Sequence, residues 1–149
     1  SAAVWGKSLP YLVSVGTPES VETVRGCEEE VFFSRDELLS LLSGADAKKP
    51  LISDEERTES GRLASVTLFG VSLSGRQLRS LLGLGSTAVE LTEEDGGLKI
   101  TARGRGHGVG MSQYGVYFLA KAGATYDQIV RAYYPGSKVE NVYDFWGVN

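Results

Sequence analysis

The residues best suited to chemistry lie in one run. His107, Ser112, Gln113 and Tyr114 fall within Gly104–Gly115, which holds five glycines and the chain's single histidine. Glycine tolerates φ > 0 and lets backbone approach a ligand closely. Gly104, Gly106, Gly108 and Gly110 are therefore expected to shape a backbone that presents the polar side chains. The run follows a strand-like segment and precedes a helix-like one, as nucleotide loops do. The dinucleotide fingerprint, however, needs a glycine where Val109 or Met111 stands, and no Gly-Lys-Ser/Thr follows. The pattern thus points away from nucleotides. His107 reads either as a base or ligand or as a structural histidine. Ser112 lacks the Gly-x-Ser-x-Gly setting of a nucleophile and stands where a helix needs an N-cap, the role expected of it.

Carboxylates are the usual chemistry for cleaving sugar bonds. The chain has 19 acidic residues, yet none lies between Ala102 and Tyr126. The runs Glu28–Glu30, Asp54–Glu56 and Glu93–Asp95 read as solvated faces or turns, without the shielding that tunes a general acid. Tyr114, Tyr117, Tyr126, Tyr133 and Tyr134 cluster late in the chain. They are expected to pack two C-terminal helices on a sheet, or to line a groove where rings stack on sugars.

The elements that must position these groups are legible in part. Three capping boxes, Ser34/Glu37, Ser74/Gln77 and Thr125/Gln128, predict helices from Arg35 to about Leu42, from Ser74 to near Gly83 with Leu78, Leu81 and Leu82 on one face, and from Thr125 to Pro135-Gly136. A further helix is expected from near Ser112 to Gly123. Alternation predicts strands at Leu9–Val15 and Gly61–Phe69, and strands are also expected at the β-prone run Glu30–Phe33, the charged, exposed stretch Leu51–Thr58, and Val71–Leu73, Ala88–Leu91, Leu98–Ala102 and Val139–Tyr143. Thr92–Gly97 has hairpin turn chemistry. No internal repeat is legible. Hairpin-linked antiparallel strands with several short helices, two of them near the C-terminus, define an α+β class.

Composition bounds the partners. A chain of 149 residues suffices for one domain, and 42% hydrophobic with 23% charged residues is ordinary for a globular protein. A net charge of −4 does not suggest nucleic acid or an anionic membrane as partner. No apolar run approaches the ~18 residues that span a bilayer, and Ser1–Gly6 lacks the features of a signal peptide. Cys27, the single cysteine, forms no internal disulfide; its acidic flank does not activate a thiol, so a passive role is expected. One cysteine and one histidine cannot build a structural zinc site within the chain.

The run Gly106-His107-Gly108-Val109-Gly110-Met111-Ser112-Gln113-Tyr114-Gly115, with Ala120, Gly123, Tyr126, Ile129 and Tyr133-Tyr134-Pro135-Gly136, resembles the C-terminal part of the stage II sporulation protein D family, which includes amidase-enhancer proteins. Val4-Trp5-Gly6 with Leu9–Leu12, Ser60-Gly61-Arg62 and Arg79–Thr87 also look like family positions, so the resemblance spans nearly the whole chain. It implies a lytic transglycosylase that cleaves the N-acetylmuramic acid to N-acetylglucosamine bond of peptidoglycan stripped of stem peptides. The product is an anhydro sugar end, formed when a glutamate protonates the glycosidic oxygen and the 6-hydroxyl attacks. The resemblance further implies action outside the cytoplasm during engulfment, beside an amidase and a membrane complex.

The family's catalytic glutamate belongs to an N-terminal helix of the form Glu-Ala-Leu-Lys-Ala-Gln-Ala, which this chain lacks. The Ser-Gly-Gly stretch and the Cys/His segment that can hold zinc are missing too. Residues 1–149 are therefore expected to be the C-terminal part of such a domain, a processed, truncated or separately encoded piece. No catalytic residue and no cofactor is expected in this chain, any zinc lying in the N-terminal part. His107, Ser112, Gln113 and Tyr114 would bind glycan, on backbone supplied by Gly104, Gly106, Gly108 and Gly110. The expected partners are glycan strands and either the missing half or another copy of the chain. Two other readings stand beside this one: a non-catalytic wall-binding or amidase-enhancing module, and a small α+β domain whose glycine loop only packs.

Overall fold

The computed structural model describes residues 6–16, 27–106 and 108–141. The chain divides into two compact units, Val21–His107 and Ser1–Ser20 with Gly108–Asn149. In the first unit, β1 (Glu28–Ser34) runs into helix α1 (Arg35–Leu41). Strands β2 (Ile52–Arg57), β3 (Leu63–Leu68) and β4 (Val71–Ser74) follow, then helix α2 (Gly75–Leu82) and the hairpin of β5 (Val89–Glu94) and β6 (Gly97–Arg103). They form two antiparallel three-stranded sheets, ordered β1-β6-β5 and β2-β3-β4. This is the α+β class that the alternating strands and capped helices predict.

The two sheets repeat one another, which the linear sequence conceals. One constant offset carries Val31 onto Val71, Ser34 onto Ser74, Leu38 onto Leu78 and Leu42 onto Leu82. A second carries the central strand β3 onto β6, and the registers then coincide. Val71 faces Leu68 as Val31 faces Ile100; Leu73 faces Val66 as Phe33 faces Leu98; Ser74 faces Ser65 as Ser34 faces Gly97. Burial follows, because Val66, Leu68, Leu98 and Ile100 are all fully buried. Each sheet is thus a hairpin plus a strand–helix arm. In the second sheet the arm follows its hairpin, whereas in the first it precedes it in the chain. That permuted order, with identities confined to a few positions, is why no repeat is legible beforehand. One difference is a bulge: β2 shifts register between Ser53 and Glu56, where Asp54 takes φ of 50°.

The helices begin where the capping boxes predict. Ser34 Oγ accepts from the Glu37 amide at 3.3 Å, and the Glu37 carboxylate accepts from the Ser34 amide at 2.8 Å. Ser74 and Gln77 reproduce this at 3.3 and 2.8 Å. Leu38, Leu78 and Leu82 point into the core with Leu51, Leu63 and Val89, each such burial stabilising the fold by about 1.5–3 kcal/mol. Leu81, expected beside them, is instead 38% exposed, because Gly75, Leu78 and Leu82 take the inner face of this short helix.

The capping boxes differ in pH response. Hydrogen bonds from the Ser34 hydroxyl and then the Ser34 amide hold the Glu37 carboxyl below its ordinary value. A depressed folded-state pKa contributes stability above the unfolded value, and that contribution is lost as pH falls through the folded one. Glu37→Gln, which copies Gln77, is therefore expected to keep α1 capped while flattening the acid-side decline in stability. Urea unfolding on either side of pH ~4 checks this; an unchanged decline in the variant contradicts it.

In the second unit, helix α3 (Gln113–Lys121) is capped by Ser112 and helix α4 (Tyr126–Tyr133) by Thr125, whose hydroxyl accepts from the Gln128 amide at 3.4 Å. The strand expected at Leu9–Val15 does not form. A turn runs through Pro10 and Tyr11, the Leu12 amide donating to the Leu9 carbonyl at 3.0 Å, and Tyr11 and Val13 are exposed. Alternation needs a partner strand, none pairs here among the described residues, and Pro10 lacks a donor. Val139–Asn141 likewise form no strand; Val142 and Tyr143 lie outside the described residues. The hairpin strands β5 and β6 run longer than expected, which shortens the Thr92–Gly97 loop to Asp95-Gly96, with Gly96 at φ of 80°.

Candidate functional site

The glycine-rich segment leaves β6 through a stem built inside the first unit. The Arg103 amide donates to the Ala88 carbonyl at 2.8 Å, the Gly104 amide to the Cys27 carbonyl at 2.5 Å, and the Gly106 amide to the Gly85 carbonyl at 2.9 Å. Ser86 and Gly106 form a parallel bridge. Gly104 and Gly106 take φ of 73° and 83°, a region that costs a residue with a Cβ about 1–2 kcal/mol. The glycines are thus required by backbone conformation, as their spacing predicts.

The stem rests on the segment Leu84–Ala88, which polar side chains hold from behind. Arg62 Nη1 donates to Ser86 Oγ at 3.0 Å and to Thr87 Oγ1 at 3.4 Å, and Ser86 Oγ also accepts from the Ala88 amide at 3.0 Å. Arg79 Nε donates to the Leu84 carbonyl at 3.1 Å. Ser86 is fully buried and Thr87 nearly so. Burial, and secondarily the Arg79 charge, pull the Arg62 guanidinium below its ordinary pKa, and it remains a cation. Arg62, Arg79 and Ser86 do not figure among the expected site residues. The signal lay in Ser60-Gly61-Arg62 and Gly85-Ser86-Thr87, which read as family positions without a stated role.

The fold also brings a carboxylate to a segment that has none in its own sequence. Glu29 Oε2 stands 3.4 Å from where a Cβ on Gly85 would lie, as does the Gly104 carbonyl oxygen. Glu29 is exposed. Sequence distance hid it, since β1 reaches the stem only by pairing with β6.

On the second unit, Gly108 and Gly110 also take positive φ, 68° and 98°. Ser112 performs the capping role expected of it, its Oγ accepting from the Gly115 amide at 3.2 Å. A hydroxyl engaged this way holds the helix start. Gln113 opens α3 and is exposed. Tyr114 and Tyr117 are 53% and 56% exposed, and their spacing puts them on one face of the helix. Lys121 Nζ lies 5.8 Å from the Tyr117 ring centre and Phe118 meets that ring edge-on at 5.4 Å. Of the tyrosines expected to pack, Tyr133 is buried, whereas Tyr114, Tyr117 and Tyr126 are exposed. His107 and the pair Val4-Trp5 lie outside the described residues. Among the described residues no cluster of three or more metal-ligating side chains occurs, and no helix is long and apolar enough to cross a membrane.

Fold and segment define a class: an α+β protein whose glycine-rich connection feeds a Ser-capped helix bearing exposed tyrosines. No protein-family profile matches the chain. Comparison with characterised sequences is more specific. The chain is 34% identical to stage II sporulation protein D of Bacillus subtilis (strain 168) over 137 residues, which is 92% of this chain and 40% of that protein. It is 33% identical to stage II sporulation protein D of Bacillus amyloliquefaciens over 146 residues, 96% of this chain and 42% of that protein. An amidase enhancer of Bacillus subtilis (strain 168) is 39% identical over 83 residues, 54% of this chain and 12% of that protein. The chain is a relative of stage II sporulation protein D across nearly all of its residues, and it spans about two-fifths of the length of those proteins.

Proposed function

We propose that this chain is the glycan-binding part of a sporulation protein D-type lytic transglycosylase, acting at the cell wall outside the cytoplasm on peptidoglycan stripped of stem peptides. The observation that carries this reading is the similarity to stage II sporulation protein D over 92–96% of the chain. The exposed Tyr114 and Tyr117 support it, since aromatic rings offer flat apolar faces to sugar rings. In this reading Gln113 supplies hydrogen bonds at the helix start, and His107, of the glycine-rich segment, supplies others. The proton donor belongs to the N-terminal catalytic part of such a domain, and the residues here hold the strand. Any zinc would be held in that part as well. Association with that part or with a second copy, and work beside an amidase and a membrane complex, follow from the same reading.

Glycan strands freed of peptides test it. The 149-residue chain is expected to co-sediment with them without producing anhydro ends, and a version joined to a sporulation protein D N-terminal region is expected to produce them. Tyr114→Ala and Tyr117→Ala should each weaken binding about threefold to tenfold, and His107→Ala and Gln113→Ala should weaken it too, with unchanged melting temperature. Anhydro ends from the chain alone would overturn the assignment of the acid to another region, and Glu29→Gln then becomes the variant to assay. No binding by the unaltered chain overturns the reading itself. The similarity to an amidase enhancer favours a second reading, a module that stimulates an amidase. Stimulation of a purified cell-wall amidase without glycan cleavage by the joined protein would select it.

A further inference from the structure

A half-buried guanidinium bonded only to neutral hydroxyls has a cost, because no counter-charge offsets the part of its hydration that is lost. Arg62, half-buried, is such a group: among the described residues it forms no ion pair, and its guanidinium donates to Ser86 and Thr87. The acceptors are not incidental. Ser86 is fully buried, so its hydroxyl has no access to water and depends on Arg62 and the Ala88 amide for its partners. The Thr87 carbonyl accepts from the Leu63 amide at 2.9 Å, which ties the same segment to β3 beside Arg62. At its other end the Leu84 amide donates to the Arg79 carbonyl at 2.9 Å and Arg79 Nε returns a bond to the Leu84 carbonyl. Leu84–Thr87 is therefore clamped from β3 and from α2. Its free edge carries the glycine-rich stem, through the Gly85 carbonyl to the Gly106 amide and through the Ser86–Gly106 bridge.

We infer that Arg62 is the positioning residue of the glycine-rich segment: by fixing Ser86 and Thr87 it holds the ledge from which Gly106 hangs, and so sets where the segment leaves β6. The geometry is independent of what the segment binds. Its consequence for glycan affinity rests on the proposed function above.

Amide hydrogen exchange on the full chain separates the two. In Arg62→Gln, protection of the Gly106 amide is expected to fall about tenfold relative to the unaltered chain, with protection of the β6 amides unchanged. Arg62→Lys, whose ammonium still donates to hydroxyls, is expected to recover Gly106 protection to within about threefold. Should Arg62→Gln not fold, Ser86→Ala removes the same acceptor from the ledge and is expected to expose Gly106 in the same way. Unchanged Gly106 protection in the folded variants overturns the inference. So does a loss shared equally with β6, which is the signature of a residue that merely stabilises the unit. Glycan affinity measured on the same samples should fall with Gly106 protection and recover in Arg62→Lys. Altered exchange with unaltered affinity would keep Arg62 as the positioning residue and remove the glycan role of the segment.

Discussion

Phe69→Ala is expected to cost about 3–5 kcal/mol of folding stability, the range for deleting a buried aromatic side chain. Phe69 is fully buried although it sits in the two-residue turn between β3 and β4. Its amide donates to the Pro50 and Leu51 carbonyls at 3.1 and 3.3 Å, and its carbonyl accepts from the Asp46 amide at 3.0 Å. The Arg35 guanidinium lies 4.7 Å from the ring centre, adding about 0.5–1 kcal/mol. The backbone is left-handed, with φ of 49° at Phe69 and 81° at Gly70, as tight hairpin turns require. A phenylalanine in that conformation is strained, so its ring contacts must outweigh the strain. Phe69→Gly loses the same ring but relieves about 1–2 kcal/mol of backbone strain, and it should therefore be no less stable than Phe69→Ala. Urea unfolding of the three proteins decides. A loss under about 1 kcal/mol in Phe69→Ala, or a glycine variant clearly worse than alanine, sinks the account.

Gly75→Ala is expected to be nearly as damaging for an added methyl group. Gly75 is buried at the first position of α2, and a Cβ there would stand 2.0 Å from the Leu63 carbonyl oxygen and 2.9 Å from its carbon. Those are backbone atoms of the central strand β3, so relief requires moving the helix off the sheet. Overpacking of this kind costs about 1–3 kcal/mol, occasionally more, against the small gain alanine usually brings to a helix. The internal repeat supplies the control. The equivalent position in the first arm is Arg35, whose amide donates to the Gly96 carbonyl at 2.9 Å. A side chain is accommodated there, so Arg35→Ala should lose only the side chain's contacts with the Phe69 ring, the Ala47 carbonyl and Glu93, and meet no clash. Thermal melting of both variants tests this; equal behaviour would show that the two arms are packed alike after all.

The helix starts were legible because their determinants are local. Ser34 with Glu37, Ser74 with Gln77 and Thr125 with Gln128 close reciprocal bonds within one turn, and all three form. Ser112 as a cap rather than a nucleophile was legible for the same reason. Strand existence was legible only where a partner was available. Leu98–Ala102 lies between two strands and forms, whereas Leu9–Val15 alternates as well but has no pairing partner among the described residues. The repeat is not legible in the linear sequence because the first sheet takes its helix arm from before its hairpin and the second from after.

For the candidate site, sequence by itself determined the glycine-rich segment, its positive-φ backbone and the capped helix after it, since backbone conformation and capping depend on neighbours in the chain. Its likeness to sporulation protein D was also readable there, as an extended run of identities. What only the tertiary structure decided is the company the stem keeps. Glu29, Arg62, Arg79 and Ser86 lie far from Gly106 in sequence and are brought to its ledge by strand pairing and by the hydrogen bonds of a half-buried cation. Which tyrosines are buried and which face solvent was likewise a matter of packing: Tyr133 is covered while Tyr114 and Tyr117 are exposed. Spacing along a helix sets which residues share a face, but only the surfaces packed against it decide which face is covered.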